Sequence, residues 1–350
     1  MKLLRHNFFL LVIPILIFSL GFVTLLSTSP DRAKNQLVFF VIGVIIYFVV
    51  ASIDYTVYKY YFKYILGLIV FLLLATFILG GIHLGAVRWL SFGFLNIQPS
   101  EFAKVALIIF LASFLSSKGE ILDNVKDALY IFAMFFVVFV LVLIQPDLGT
   151  AIILFSILVG ILFYAGVNKL YFLVAFLFFG IFSTPIWNLL HDYQKRRILV
   201  FLNPTLDIKG SGYNVIQSII AIGSGGIFGK GFGHGTQSHL NFLPAHWTDF
   251  IFASFAEEWG FVGIAMMVIL FTLLLLILLF IAHKATDAYA SLLVIGVFMV
   301  FFSQFVINVG MNLGVMPVTG IPLPLVSYGG SSLLSSFILL GIAQSVFKTT

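Results

Sequence analysis

Apolar residues run through this chain in long blocks, and the polar positions collect between them. Blocks of about 18 or more residues, enough to cross a bilayer as helix, fall near 7–27, 36–53, 63–81, 100–116, 128–144, 148–166, 169–190, 250–282, 287–313 and 327–347. The pattern predicts an all-α polytopic membrane protein of about ten transmembrane helices, with one long polar stretch, roughly 191–249, between the seventh and eighth. The eighth block is long enough to require tilt or an overhang. The first lacks a small-residue cleavage site before Asp31 and Arg32, so it reads as a retained helix rather than a signal peptide. The whole of 1–350 reads as one membrane domain, with the 191–249 stretch folding back onto the membrane surface.

An even number of spans leaves both termini on one side. Short loops on that side carry Lys2, Arg5, Lys59, Lys63, Lys118, Lys126, Lys169, Lys284 and Lys348, whereas the opposite short loops carry Arg32, Lys34 and Arg88. Basic residues stay preferentially in the cytoplasm, so nine against three puts both termini there and the long loop outside.

Composition agrees and removes several classes of function. The 350 residues are 61% hydrophobic and 9% charged, with 42 Phe, against roughly 25% charged in soluble domains. With no cysteine, disulfides, thiolate metal sites and Cys nucleophiles are excluded. The formal charge of +5 follows from the basic loops, and no basic run interleaved with aromatics points to nucleic acid. No H-E-x-x-H spacing occurs among the seven histidines, so a built-in metal site is not expected.

Ionisable groups in membrane helices cost about 2.5–3.5 kcal/mol on insertion scales, and here they gather at helix ends on the outer side. The fourth, sixth and eighth helices open with Gln98-Pro99-Ser100-Glu101, Gln145-Pro146-Asp147 and Trp247-Thr248-Asp249. Helix capping explains such acids as readily as chemistry does. Glu101 has Lys104 three residues on, on the same face, which favours a mutually neutralising ion pair. Asp249 ends a Gly-rich loop, a place where chemistry often sits. Adjacent Glu257 and Glu258 are separated by about 100° of helix, so one of them is expected to be a structural partner. The loop supplies Lys195, Arg196 and Arg197, then Gly223-Ser224-Gly225-Gly226 and Gly229-Lys230-Gly231, able to present N–H groups and cations to phosphate; lipid anchoring and simple glycine turns explain these equally well, and no Walker pattern is present. Arg88-Trp89 stands at the outer face, where an aromatic suits the interface. Three prolines between Pro317 and Ser332 block regular helix, so that segment must be buried in protein or line a cavity.

Taken together, the strings GAVRWLSFGFLNIQPSEFAK, QPDLGTA, RRILVFLNP, GYNVIQSIIAIGSGGIFGKG, GTQSHLNFLP, TDFIFASFAEEWG and PVTGIPLPLVSYGGSS make the chain resemble the SEDS (shape, elongation, division and sporulation) family of bacterial membrane glycosyltransferases, most closely its RodA branch. The resemblance spans nearly the whole chain. It implies an inverting peptidoglycan glycosyltransferase that joins lipid II into glycan strands outside the cytoplasmic membrane and releases undecaprenyl pyrophosphate, for cell elongation and rod shape. It implies Asp249 as the essential acid, Arg88 and Trp89 as the family's Arg and Trp, and Glu101 and Lys104 as the charged pair; Arg88, Trp89, Lys195, Arg196, Arg197, Lys230, Gln237, Ser327 and Tyr328 are the substrate-binding candidates. It also implies a class B penicillin-binding protein transpeptidase as partner, with other elongation-complex membrane proteins and membrane lipids. The chain departs from the family's Leu-Pro-Glu-x-His-Thr-Asp in reading Leu-Pro-Ala-His-Trp-Thr-Asp, so Ala245 and Trp247 replace a Glu and a His while Asp249 stays in register, and His246 becomes a candidate local substitute.

On this reading Asp249 deprotonates the acceptor 4-hydroxyl as it attacks the anomeric carbon bearing pyrophosphate; that leaving group needs no acid partner. Arg88, Arg196, Arg197 and Lys230, or a divalent cation (Mg or Mn) shared transiently by substrate and one carboxylate, answer the charge that develops. A flippase for the lipid-linked precursor is the competing class, but transporters place polar residues in broken mid-membrane helices, and here they cluster at the outer ends. A role as scaffold for other wall-synthesis proteins can coexist with enzymatic activity.

Overall fold

The computed structural model describes residues 8–83, 86–92, 95–117, 125–181, 187–188, 192–207 and 210–349. Lys2, Arg5, Gly85, Lys118 and most of the far end of the seventh apolar block lie outside the described residues.

The elements are α1 (Phe9–Thr28), α2 (Pro30–Ser52), α3 (Tyr55–Leu79), β1 (Gly81–His83), β2 (Ala86–Phe92), β3 (Leu95–Ile97), α4 (Pro99–Ser116), α5 (Val125–Ile144), α6 (Leu148–Tyr164) and α7 (Lys169–Ile181). Then come α8 (Asp192–Leu202), α9 (Ser211–Ser224), α10 (Thr236–His239), α11 (Ile251–Lys284), α12 (Ala288–Asn312) and α13 (Gly330–Phe347). By length and composition eight described helices can cross a membrane, namely α1 to α5 and α11 to α13. α6 is as apolar but has 17 residues, and 13 residues of α7 are described. The protein is an all-α polytopic membrane protein.

Burial sorts these helices. Inside the protein lies 83% of the α4 span, against 22% for α2, α3 and α5. α4 is accordingly central, touching α3, α5, α6, α12 and α13, and the outer helices expose residues such as Val41, Ile45, Phe71 and Ile78. In water such surfaces would drive aggregation; in lipid, helices apolar all round are what the solvent demands.

Two features depart from a simple helix count. Between α3 and α4 the chain forms a small antiparallel sheet in the order β1-β2-β3, which carries Arg88 and Trp89 on its middle strand. α11, expected as one apolar run near 250–282, is 34 residues long and broken at Gly260, whose φ of 63° and ψ of −161° are not helical. At about 1.5 Å per residue it would reach ~51 Å, well beyond a ~30 Å hydrocarbon core. The kink divides it into a spanning part and a buried first part, Ile251 to Glu258, packed among the loop elements.

α8 and α9, the described helices of the long loop before residue 225, pack on each other, and α9 also packs on α11 and α12. The proline-containing segment is buried in protein, with Ile321, Leu323, Leu325 and Val326 at most 2% exposed.

Candidate active site

Asp249 lies at the base of α11, where a tight turn returns the N–H groups of Thr248 and Phe250 to the Ala245 carbonyl at 3.1 and 3.2 Å. Ala245 adopts a positive φ of 51° to make that turn. The carbonyls that follow are each captured. Trp247 O accepts from Tyr328 N–H at 2.9 Å and Thr248 O from the Ser327 hydroxyl at 2.7 Å. Asp249 O accepts from the side-chain amides of both Asn308 and Asn312, each at 3.0 Å. These asparagines are four residues apart on one face of α12 and fully buried. Asn312 also accepts from Ala253 N–H at 3.2 Å, a first-turn donor of α11 that it shares with the Phe250 carbonyl at 3.1 Å.

The carboxylate of Asp249 is half-buried beside Gly320, where an added Cβ would stand 3.5 Å from Oδ2. Arg197 of α8 is anchored next to it by donating to the Thr319 carbonyl at 2.9 Å. Arg88 of β2 donates to the carbonyls of Gln145, at 2.9 Å, and Pro146, and its Nη1 is 3.9 Å from Asp147 Oδ1. Burial pushes the Asp249 carboxyl above the usual carboxylate range; Arg197, the Thr248 hydroxyl and Arg88 pull it partly back, and Asp147 pushes it up. The site is thus an acid within electrostatic reach of two arginines, assembled from α8, β2, the α11 base and the loop before α13.

Other sequence candidates occupy different places. Asp147 caps α6 through Thr150 N–H at 3.2 Å and accepts from Ser100 at 2.9 Å and Gln98 at 3.1 Å. Glu101 and Lys104 form the expected pair, at 2.7 Å and both buried, with the Ser335 hydroxyl donating to Glu101 at 3.0 Å. Lys230 neutralises Glu257 at 2.6 Å. Glu257 also receives the Gln237 N–H at 3.1 Å and the Thr236 hydroxyl at 3.0 Å, so Gln237 joins this cluster through its backbone. Glu258 accepts from Ser27 and, at 3.3 Å, from Gly233 N–H, so both adjacent acids are structural partners rather than one. Trp89 is half-buried beside Arg88, Lys195 is half-buried and Arg196 is exposed on α8. His246 is buried, its Nδ1 bonded to the Leu243 carbonyl at 3.0 Å, and burial lowers its pKa, so it stays neutral against the Trp247 ring.

Asn308 and Asn312 escaped the sequence reading because it followed ionisable groups. The signal was there, in three amides, Gln304, Asn308 and Asn312, spaced by one turn each along a largely apolar 25-residue helix. Among the described residues, no group of three His, Asp or Glu side chains converges to hold a metal.

The chain is similar to known proteins. The chain is 40% identical over 305 residues to the peptidoglycan glycosyltransferase MrdB of Escherichia coli strain K12, covering 87% of this chain and 82% of that protein. It is 35% identical to stage V sporulation protein E of Bacillus subtilis, over 97% of this chain and 96% of the relative. Among solved structures it matches one described as "Structural coordination of polymerization and crosslinking by a peptidoglycan synthase complex", with a TM-score of 0.86, 30% identity, and 99% and 98% of the two chains covered. It also matches the rod shape determining protein RodA of Thermus thermophilus, with a TM-score of 0.76, 29% identity, and 99% and 98% covered. The FtsW/RodA/SpoVE model, described as a cell cycle protein family, matches residues 2–350, and the chain belongs to that family.

Proposed function

We propose that this protein is a peptidoglycan glycosyltransferase that polymerises lipid II, with Asp249 as general base. The observation that carries the reading is the Asp249 carboxyl itself, fixed through its backbone by two asparagines and flanked by Arg197 and Arg88. The acceptor 4-hydroxyl oxygen attacks the donor anomeric carbon, its proton passes to Asp249, and the bond from that carbon to the pyrophosphate oxygen breaks with inversion. A raised carboxyl pKa brings the base closer to neutral pH, where proton transfer contributes about 10²–10⁴-fold. Arg197 and Arg88 stand ready to stabilise the charge on the departing pyrophosphate, with Trp89, Lys195, Arg196, Ser327 and Tyr328 around the substrate path. Lys230 and Gln237, tied up with Glu257, shape the loop.

Among the described residues no three acids or histidines converge on one point. The Asp147 carboxylate is engaged by Ser100, Gln98 and Thr150, so Asp249 is the carboxylate of the site that a substrate-borne Mg or Mn ion could share. No step requires it.

The chain acts as a single unit, residues 1–350, in the cytoplasmic membrane with both termini inside. A class B penicillin-binding protein transpeptidase is its partner within an elongation complex, in keeping with the synthase complex it resembles. The test is polymerisation of fluorescent lipid II by purified protein with its transpeptidase, wild type against Asp249→Asn at equal folded amounts. Strands from wild type and none from the variant support the reading. Strands from both remove Asp249 as base. No strands from wild type, with lipid II crossing proteoliposome membranes, would make the protein a transporter.

A further inference from the structure

Two residues at the start of α2 reach the segments that carry and brace Asp249. Arg32 lays its guanidinium carbon 3.4 Å from the centre of the Trp247 ring, two residues before the acid. Gln36, one turn further on the same helix face and fully buried, donates from Nε2 to the Ser327 carbonyl at 3.0 Å and accepts Gly329 N–H on Oε1 at 3.1 Å. The 327–329 segment in turn donates Tyr328 N–H and the Ser327 hydroxyl to the carbonyls of Trp247 and Thr248. The path from α2 to Asp249 is therefore continuous, one branch through a ring face and the other through four hydrogen bonds.

We propose that Arg32 and Gln36 are positioning residues that hold the Asp249 carboxylate in register with the substrate, an inference that rests on the function proposed above. Asn308 and Asn312 grip the Asp249 carbonyl from the α12 side only. A segment held at one point can still pivot about it, whereas a second grip from α2, at Trp247 and through 327–329, removes the pivot. The chemistry of Gln36 suits that task. An amide that donates to one peptide and accepts from another two residues on fixes the register of the segment, which an apolar side chain of the same volume would leave free to slide. Displacement of a reacting group by about 1 Å is enough to cost ~10²-fold in rate.

The experiment uses full-length protein with its transpeptidase and lipid II, comparing wild type, Gln36→Met, Trp247→Ala and Trp247→Phe, with hydrogen exchange of the 245–250 and 323–330 peptides measured on the same samples. Gln36→Met preserves side-chain volume but leaves the Ser327 carbonyl and Gly329 N–H unpartnered, so kcat is compared at equal folded amounts. It is expected to lower kcat about 10-fold or more with KM within twofold, and to speed exchange in both peptides. Trp247→Ala should do likewise, and Trp247→Phe, which keeps a ring face for Arg32, should recover most of the rate. Wild-type kcat in Gln36→Met overturns the proposal, and so does a rise in KM with kcat intact, which would make these residues substrate ligands. If wild type makes no strands, the proposed function fails and takes the catalytic part of this inference with it. Exchange then reads separately whether α2 fixes the segment, and unchanged exchange overturns that as well.

Discussion

Asp249 combines a rigid backbone with a side chain whose proton affinity is set by opposing neighbours. Burial raises its pKa and Arg197 is the largest influence lowering it. A base works deprotonated, so the acid limb of kcat/KM should lie above the ordinary carboxylate range. Replacing Arg197 with Ala removes a favourable charge and should move that limb to higher pH, with Arg197→Lys restoring part of it; a limb that stays put would detach Arg197 from the acid. The same shift acts on stability. In the window between the ordinary carboxylate pKa and the raised one, the folded state holds more protons than the unfolded state, so stability falls as pH rises through it. The Glu101–Lys104 pair gives a second residue-scale prediction. Both side chains are at most 4% exposed, and removing one partner strands a buried charge at a cost of about 3–5 kcal/mol, whereas replacing both by apolar residues is often neutral. Glu101→Leu alone should therefore unfold at markedly lower temperature in detergent than the Glu101→Leu/Lys104→Met double variant. This pair was legible in the sequence because its partners are three residues apart. Lys230 and Glu257 are 27 apart, and nothing local to either could reveal that one would neutralise the other.

At the scale of elements, the break in α11 organises the Gly-rich loop. Helical N–H and C=O groups released at Gly260 are taken up by that loop, with Phe261 N–H donating to Gly226 O at 2.9 Å, Val262 N–H to Ile227 O at 3.0 Å, and Gly231 N–H to Glu258 O at 3.0 Å. Gly260 must be glycine twice over, for its positive φ and because a Cβ would come within 2.2 Å of Gly229 N. Gly260→Ala should cost at least the ~1–3 kcal/mol of a strained backbone residue, seen as a lowered unfolding temperature and faster proteolysis of the 225–240 loop. Wild-type behaviour on both counts would show that the kink is not required. The apolar pattern shows helix 250–282 clearly but is blind to the break, since a glycine within an apolar run gives the same periodicity whether or not the helix continues. The sheet was missed for a related reason. Its strands are 3, 7 and 3 residues long, too short for an alternation of two to stand out beside membrane helices.

For the whole molecule, lipid as solvent makes the spans legible and their neighbours illegible. Length and hydropathy identify a crossing helix, yet helices apolar on every side carry no mark of which face meets protein, so the central place of α4 came only from packing. Sidedness is different, because it follows from basic residues at the two ends. Tyr55 bonds Asp287, and Lys348 donates to the Ala51 carbonyl at 2.9 Å, which gathers the α2–α3 and α11–α12 connections and the end of α13 at one end of the bundle. Lys59, Lys284 and Lys348 lie in or near those connections, and insertion keeps such residues in the cytoplasm. On the topology proposed above, the Asp249 end faces outward, where a polymerase must meet its acceptor strand. With no native cysteine in the chain, single replacements report without background. Ser91→Cys and Thr205→Cys, exposed at the Asp249 end, should react with a membrane-impermeant maleimide in spheroplasts, and Ser52→Cys and Thr286→Cys, exposed at the other end, only after permeabilisation. The reverse pattern would put Asp249 in the cytoplasm and leave strand synthesis outside the cell without a base.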